Sequence, residues 1–534
     1  MAERANPRVP LMLAIASRVV GGLVCLAGCS QDPIEEHFPA DPAPPVSGPA
    51  WLGFGRKAQH DALSAGASQD LGQIVWRKHV DLNAPYQSDG ELLVHYGSPV
   101  ITDQNTALLP IKVGAAGVFH IEARSGGNGA LIWSYVTDYR LPPFDWIPSY
   151  NLSLAAAAPD GSAPARLYAA GAGGKLLVRD APDASAGTIQ SVVFYGADAY
   201  SAAAATFDSS VFINTPITLD SQRNAFFGFQ VTGDNPAGLT SGLARVSADG
   251  AGTWAAASAL AGDAAIDKLA TNSAPALSTD EQTLYVAVNA LDSTSSAEPA
   301  YLLALDTQTL AMRARALLTD PAAGGNAIVT DNSTASPTVG PDGDVYFGVL
   351  ENTNHNDRGW MLHFDSTLGT QKIPGSFGWD DTASIVPAGM VTSYAGGSSY
   401  LILTKYNNYG SHGITGDGAN RVAVLDPSAG QPDSLSRVTV MQEVLTVLGP
   451  TRDPEVSGGV KEWCINSAAV DPATSSALIN SEDGILYRWD LSTNQLSQQI
   501  RLTNGLGEAY TPTAVGADGA VYAISNGTVF VVGR

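Results

Sequence analysis

Short alternating runs of apolar and polar residues recur along this chain, and each is broken by a turn rich in Asp, Gly or Asn. The clearest copy is residues 336–348, SPTVGPDGDVYFG, and residues 511–523, TPTAVGADGAVYA, nearly duplicate it. Alternation with a period of two places successive side chains on opposite faces of a strand, and Asp-Gly suits the tight turn between two strands. Each copy therefore predicts a β-hairpin.

Further alternating runs follow these hairpins. A third run ends in Asp and a polar turn at residues 301–306, 421–426 and 486–490, and a fourth run follows, as at residues 131–135. Four antiparallel strands in succession form one blade of a β-propeller.

Eight copies of the phrase can be counted, and they begin near residues 98, 152, 215, 273, 336, 384, 467 and 511. The eighth copy stops at Arg534, before its fourth strand, whereas a fourth-strand-like run stands alone at residues 72–80. Pairing that run with the last hairpin closes the ring and leaves no weak seam between the first and last blades. We therefore predict an all-β fold: an eight-bladed β-propeller of four-stranded antiparallel blades, closed by an N-terminal strand that completes the last blade. The alternative is a seven-bladed ring with one long insertion.

Residues 1–28 are typical of an export signal. Arg4 and Arg8 precede an apolar stretch that is too short for a mature membrane helix, which needs ~20 residues. The stretch ends in LAGCS at residues 26–30, which resembles the bacterial lipobox. The resemblance implies cleavage before Cys29 and acylation of that residue, and Ser30, rather than Asp, favours the outer membrane. The alternative is an ordinary secretory signal with an incidental Cys.

The remaining chain divides into two parts. Residues 29–50 are rich in Pro and Ala and lack an apolar period, which predicts a flexible tether. Residues 51–534 carry the repeats and form the predicted propeller.

Composition narrows the range of partners. The chain has 28 Lys and Arg against 51 Asp and Glu, a net charge of −23, so phosphate backbones repel it and nucleic acid is excluded as a partner. Three Cys in 534 residues exclude a disulfide scaffold.

One motif stands ahead of the closing run, at residues 51–60: Trp51, then Phe54-Gly55-Arg56, then Gln59-His60. This lead-in and the blade phrase resemble those of PQQ-like β-propeller repeat proteins, over residues 51–534. That family includes quinoprotein dehydrogenases, which bind pyrroloquinoline quinone (PQQ) and calcium in the periplasm. It also includes members without a cofactor, such as the lipoprotein scaffold of the outer-membrane protein assembly machine. The adjacent Cys pair and the Cys-x-x-Cys-His haem motif of such enzymes are absent from this sequence.

The segments that lead into the first strands point at the central channel of a propeller, where ligands bind because all blades converge there. Trp side chains in these segments could stack on a flat or sugar-like ligand, and Asp380 or Asp381 could hold calcium through oxygen ligands. The alternative is that the Trp residues pack between blades and the Asp residues cap turns. The candidate ligand-binding residues at this mouth are His95, Tyr96, Asp145, Trp146, Trp379, Asp380, Asp381, Trp463, Asn466, Glu508 and Tyr510.

These observations favour a binding protein over an enzyme. We expect an extracytoplasmic, lipid-anchored, monomeric ring without bound quinone, whose partner is an envelope protein or an extracellular ligand. No catalytic residue is assigned, and the metal content is left open. The alternative is an enzyme that uses the acidic, Trp-lined mouth, either a PQQ- and calcium-dependent oxidoreductase or a polysaccharide lyase or hydrolase.

Overall fold

The computed structural model describes residues 34–41, 44–82, 87–88, 91–92, 97–113, 118–142, 150–158, 160–290, 298–331, 333–410, 414–463, 465–503 and 511–534. Eight antiparallel sheets follow one another along the chain, and a small hairpin pairs Gln87–Ser88 with Glu91–Leu92. The predicted eight-bladed β-propeller is therefore confirmed.

The hairpin strands of each blade start where the repeated phrase predicted them, and blades 3 and 4 each have an additional short strand before that point. Blade 1 contains Val100–Ile101, Thr106–Lys112, Phe119–Ser125 and Leu131–Val136; blade 2 contains Ser153–Ala155, Arg166–Ala170, Lys175–Asp180 and Gln190–Val193; blade 3 contains Val211–Ile213, Thr218–Leu219, Ala225–Val231, Gly242–Val246 and Gly252–Ala256; blade 4 contains Lys268–Leu269, Ala276–Leu277, Thr283–Asn289, Tyr301–Asp306 and Met312–Leu317.

The second half of the ring follows the same order. Blade 5 contains Thr338–Val339, Val345–Val349 and Trp360–Phe364; blade 6 contains Ser384–Pro387, Tyr400–Tyr406, Arg421–Pro432 and Thr439–Leu448; blade 7 contains Ala469–Asp471, Ser476–Asn480, Ile485–Asp490 and Gln495–Arg501; blade 8 contains Ala514–Val515, Val521–Ser525, Thr528–Gly533 and the N-terminal strand Gln73–His79. In blade 5 the fourth position is held by residues 371–375, through isolated bridges from Gln371 to Phe364 and from Gly375 to Met361.

The ring is closed by the strand Gln73–His79, as predicted. It pairs antiparallel with the last strand, from Gln73 opposite Gly533 to His79 opposite Thr528. The Trp76 side chain is fully buried, and its Nε1 donates a hydrogen bond of 2.6 Å to the Gly126 carbonyl of blade 1. Both chain ends therefore share one sheet, which removes the weak seam between the first and last blades.

Residues 34–41, which we call the docked segment, lie against this closing strand. His37 and Arg77 exchange two backbone hydrogen bonds of 3.1 and 3.3 Å, and the Phe38 ring lies 6.4 Å from that of Trp76. The sequence predicted a flexible tether over this stretch. Its described part is instead held on the ring, because Phe38 supplies an apolar contact and the closing strand has a free edge.

Hydrophobic side chains fill the spaces between neighbouring blades. One cluster joins Phe119 of blade 1, Tyr168 of blade 2 and Phe227 of blade 3, and another joins Tyr346 of blade 5 to Ile402 of blade 6. Each blade thus buries both faces against its neighbours, which explains the nearly continuous apolar runs of the second strands.

Blade 6 also clasps blade 5. Its two outer strands extend beyond the blade, and Met441 N donates to the Pro374 carbonyl of blade 5 at 2.9 Å. At the tip of this hairpin, Asp433 forms a buried ion pair of 2.8 Å with Arg358 and accepts a hydrogen bond of 2.5 Å from Ser376 Oγ. The hairpin therefore covers the edge where blade 5 has no regular fourth strand.

The helices in the described part of the chain are few and short. They are Ala197–Ala202, Ala204–Ser210 and Ala257–Ala261, with 3-10 turns at Ala172–Gly174 and Ala388–Met390. Within the described ranges, none of the helices combines the length and the apolar character needed to cross a membrane.

Candidate functional site

The first strands of the eight blades line the central channel, as propeller geometry requires. Each runs from the face where the chain arrives at the blade, here called the upper face, to the face of the first hairpin turn, called the lower face. Strand pairing places Val100, Ser153, Thr218, Ala276, Thr338, Ser384, Ala469 and Ala514 at equivalent positions in the eight blades.

In four blades the residue at this position is Ser or Thr, and its hydroxyl group forms a hydrogen bond with the next blade. Each of these Ser or Thr side chains donates to the backbone carbonyl that precedes the equivalent position in its neighbour. The pairs are Ser153 Oγ to Ile217 O at 2.5 Å, Thr218 Oγ1 to Pro275 O, Thr338 Oγ1 to Ala383 O at 2.8 Å and Ser384 Oγ to Ala468 O at 2.7 Å. The repeated Ser and Thr of the blade phrase therefore fasten neighbouring blades around the channel.

One residue further along each first strand, the backbone bonds to a different part of the chain. Residues 51–64, which we call the strap, cross the lower end of the channel. Six blades donate a backbone N–H to successive strap carbonyls: Ile101 to Trp51 at 2.9 Å, Leu154 to Leu52 at 2.7 Å, Leu277 to Ala58 at 2.8 Å, Val339 to Gln59 at 2.9 Å, Ile385 to Asp61 at 3.0 Å and Val470 to Ala62 at 2.9 Å. The strap therefore joins blades 1, 2, 4, 5, 6 and 7 in one circuit.

So tight a circuit requires unusual backbone conformations. Gly55, Arg56, His60 and Ala62 all have positive φ, between 54° and 77°. A Cβ on Gly55 would lie 2.7 Å from the His60 Cα, so glycine is needed at this turn. Asp61 steadies the turn from within, because its carboxylate lies 2.8 Å from Lys57 Nζ and 3.6 Å from Arg56 Nε.

His60 fixes the strap to blade 5. Its side chain is 1% exposed, its Nδ1 lies 2.7 Å from the Pro337 carbonyl oxygen, and the Phe54 ring packs edge-on at 5.1 Å. A carbonyl only accepts, so Nδ1 is the donor. Burial lowers the pKa of His60 to about 4, so the ring is neutral at pH 7. The lead-in motif of the sequence is thus the part of the chain that closes the lower end of the channel.

At the upper end, two predicted mouth residues meet. Asp380 Oδ1 accepts hydrogen bonds from Thr334 N at 2.6 Å and Thr334 Oγ1 at 2.7 Å. Asn466 Nδ2, from blade 7, reaches past blade 6 to the same Thr334 Oγ1 at 2.7 Å. The segments that lead into blades 5, 6 and 7 are therefore joined around one threonine.

Three other predicted residues are buried close by. Trp379 packs with Leu350, Phe377 and Tyr409, while Trp463 is fully buried in the core that includes Tyr487. Burial raises the pKa of Asp381 well above its ordinary value, against the attraction of Lys405. Neither Trp presents a ring face to the channel as a stacking platform, which agrees with the packing alternative for these two residues.

The remaining predicted residues lie outside the described ranges. They are Cys29, His95, Tyr96, Asp145, Trp146, Glu508 and Tyr510.

Another set of small polar side chains lies near the upper mouth, and most of them were not predicted from the sequence. These atoms are buried and have no hydrogen-bond partner among the described residues: Asn214 Oδ1, Ser273 Oγ, Asp381 Oδ2, Asn466 Oδ1, Ser467 Oγ and Thr513 Oγ1. All six belong to the segments that lead into first strands or to their first residues. Buried polar groups are normally bonded to protein or to ordered water, so this cluster is suited to a polar guest. The signal in the sequence was the recurrence of small polar residues directly before each first strand.

The family resemblance raises the question of a quinone and calcium. An aromatic ring face could stack on a flat quinone, but Trp379 and Trp463 are buried against other hydrophobic side chains. Across the described ranges, no three His, Cys, Asp or Glu side chains are grouped so that they could hold a metal ion. The described residues therefore do not fit the quinone and calcium pair.

Comparisons with known proteins bear on the fold. No protein-family model matches the sequence, and curated proteins give no match either. Among solved structures, the chain is similar to a europium-containing methanol dehydrogenase (TM-score 0.54, 9% identity, 89% of this chain and 88% of that one). It is also similar to the quinohemoprotein alcohol dehydrogenase from Comamonas testosteroni (TM-score 0.53, 12% identity, 91% and 81%).

A looser match is BamB from Moraxella catarrhalis (TM-score 0.39, 14% identity, 86% of this chain and 97% of that one), and it adds nothing to the assignment. At such low identities, the likeness concerns the course of the backbone and leaves activity open. With the eight blades and the strand that closes them, these matches show that the chain has the eight-bladed fold of the PQQ-like β-propellers.

Proposed function

We propose that this chain is an extracytoplasmic, lipid-anchored propeller that works by binding, and that its ligand enters the channel from the upper face. The strap occupies the lower end, which leaves the upper mouth as the route to the unbonded oxygens. The cluster of six buried polar atoms is the observation that carries this proposal.

The chemistry of the cluster favours a small polyhydroxylated ligand, such as a sugar. Five of its members are amide or hydroxyl groups, and the sixth, Asp381, has its pKa raised by burial. Hydroxyl groups can both donate and accept, so they match mixed partners of this kind. A buried polar group left without a partner costs about 1–3 kcal/mol, and a bound polyol would remove that cost.

Ser467 and Thr513 provide the sharpest test, because the two residues are adjacent across blades 7 and 8. Thr513 N donates to Ser467 O at 3.3 Å, and both side-chain hydroxyls lack a described partner. We suggest native mass spectrometry and thermal unfolding of the protein purified from its own envelope, as the parent chain and as Ser467→Ala/Thr513→Val. The matched control is Ser384→Ala, which removes a hydroxyl that is bonded between blades.

The two readings of these hydroxyls predict opposite results. If they hold a ligand, the parent carries a bound polar molecule, and the double variant loses it without becoming more stable. If they are only packed, neither protein carries one, and the double variant gains about 1 kcal/mol. Stoichiometric binding of PQQ in the presence of calcium would support the dehydrogenase alternative instead.

Anchoring is tested separately. Acylation at Cys29 supplies several chains, and each buried CH₂ contributes ~0.8 kcal/mol of membrane affinity. The parent protein should fractionate with membranes and Cys29→Ala should not. A Cys29→Ala protein that stays with the membrane would count against the lipid anchor.

A further inference from the structure

Exposed apolar side chains are concentrated at one edge of the ring. Of the nine most exposed large hydrophobic residues in the described part of the chain, five lie in blade 1 or lead into it: Leu82, Val118, Leu131, Tyr135 and Val136. Val136 is 62% exposed and Leu82 is 54% exposed. Contiguous exposed apolar surface on a soluble protein commonly marks an interaction site.

Three of these residues, Leu82, Val118 and Val136, form what we call the apolar patch. Backbone bonds place them together at the upper ends of their strands. Leu82 N donates to Lys112 O at 2.9 Å, Val113 N donates to Val118 O at 2.8 Å, and Val136 pairs with His120.

The docked segment leads to the same place. It runs antiparallel to the closing strand, so its early residues lie at the upper end. Glu36 Oε1 lies 2.6 Å from Lys78 Nζ and accepts a hydrogen bond of 3.3 Å from His79 N, while Asp41 O accepts one of 2.8 Å from Asn128 on the lower face. The chain before Ile34 therefore starts from the upper edge, beside the apolar patch.

We propose that the apolar patch rests on the lipid surface of the membrane. This inference rests on the proposed acylation of Cys29. Cys29 and Ile34 are five residues apart in the sequence, a reach of at most about 18 Å at 3.3–3.6 Å per residue. So short a link holds the patch near the bilayer at high effective concentration, and the removal of its apolar side chains from water favours contact.

The proposal can be tested with the acylated full chain on vesicles of phosphatidylethanolamine and phosphatidylglycerol that contain a nitroxide-labelled lipid. A bimane fluorophore is attached at Val136→Cys in a Cys464→Ser background. The matched control carries it at Met312→Cys, because Met312 is 46% exposed on the outer strand of blade 4, across the ring from blade 8. We expect the nitroxide lipid to quench bimane at position 136 and to leave the emission at position 312 unchanged.

The other outcomes separate the two proposals. If the protein floats with the vesicles but position 136 is not quenched, the patch does not touch lipid and is a surface for a protein partner, while the anchor stands. If the acylated chain and its Cys29→Ala variant float equally, or if neither floats, the anchor fails and the orientation proposed here fails with it.

Discussion

The Nδ1 atom of His60 lies 2.7 Å from the carbonyl oxygen of Pro337, and this hydrogen bond joins the strap to the inner strand of blade 5. The two residues are 277 positions apart in the sequence. Each belongs to a motif visible in the sequence, the lead-in for His60 and the blade phrase for Pro337, and burial keeps the His60 ring neutral while it donates this hydrogen bond.

Stability should depend on pH through His60. Its pKa is about 4 in the folded chain against an ordinary value of 6.5, so between these values the unfolded chain binds a proton that the folded chain does not. The contribution of His60 to stability is complete above pH 6.5 and is lost as the pH falls toward 4. The free energy of unfolding falls by about 3 kcal/mol in total over this range.

His60→Asn keeps a donor and does not titrate. Between pH 7 and pH 5, we therefore expect the free energy of unfolding of this variant to fall by about 2 kcal/mol less than that of the parent. Denaturant unfolding at both pH values provides the measurement. His60→Leu, which lacks a donor, should be destabilised at both. Parallel pH profiles for the parent and the Asn variant would contradict this account.

The strap should fail when its tight turn is altered. Gly55→Ala places a Cβ 2.7 Å from the His60 Cα at a φ of +54°, and such strain costs about 2 kcal/mol or more. Hydrogen exchange should then accelerate at the six amides that bond to the strap, including Leu277 and Val339. The control is Gly389→Ala, where the added Cβ has no atom within 4 Å, and unchanged exchange in both variants would argue against the strap as a fastener.

The closing strand depends on Trp76. Its side chain is fully buried and bonds to Gly126 O, so Trp76→Ala should cost about 3–5 kcal/mol in the free energy of unfolding. Trp76→Phe keeps an aromatic ring and should lose about 1 kcal/mol, the value of one hydrogen bond. Equal stability of the parent and the Ala variant in guanidinium would mean that the ring holds without this closure.

The clasp between blades 5 and 6 should depend on a buried charge. Arg358→Met leaves Asp433 buried without its cation, which costs about 3–5 kcal/mol. The comparison is Arg313→Met, which removes an ion pair of 2.6 Å whose Arg side chain is 41% exposed and should cost about 1 kcal/mol or less. Urea midpoints of the two variants measure this difference. Similar losses of stability in both variants would show that burial does not determine how much an ion pair stabilises the fold.

Much of the fold could be predicted from repetition. The phrase at residues 336–348 reports a hairpin wherever it recurs, since alternation and Asp-Gly turns act locally. The last blade lacks its fourth strand, and the strand predicted at residues 72–80 lacks a blade. The simplest arrangement therefore pairs that strand with the last hairpin. The nearly continuous apolar runs of the second strands follow from the burial of both faces of each blade.

The channel was predicted less well, because its character depends on which side chains the ring brings together. Their positions in the sequence predict that Trp379 and Trp463 lie at the mouth, but both side chains are buried in hydrophobic clusters. Asp380 and Asn466 both bond to Thr334, a residue with no distinctive signal.

The amino-acid sequence by itself determined the hairpins of the blades and the strand that closes the ring, because these follow from local alternation and from counting, and it favoured eight blades over seven. Only the tertiary structure decided the role of residues 51–64, the docking of residues 34–41 and the set of mouth oxygens that have no hydrogen-bond partner among the described residues. Each of these arises where segments far apart in sequence meet around one axis, and no local pattern of residues records such a meeting.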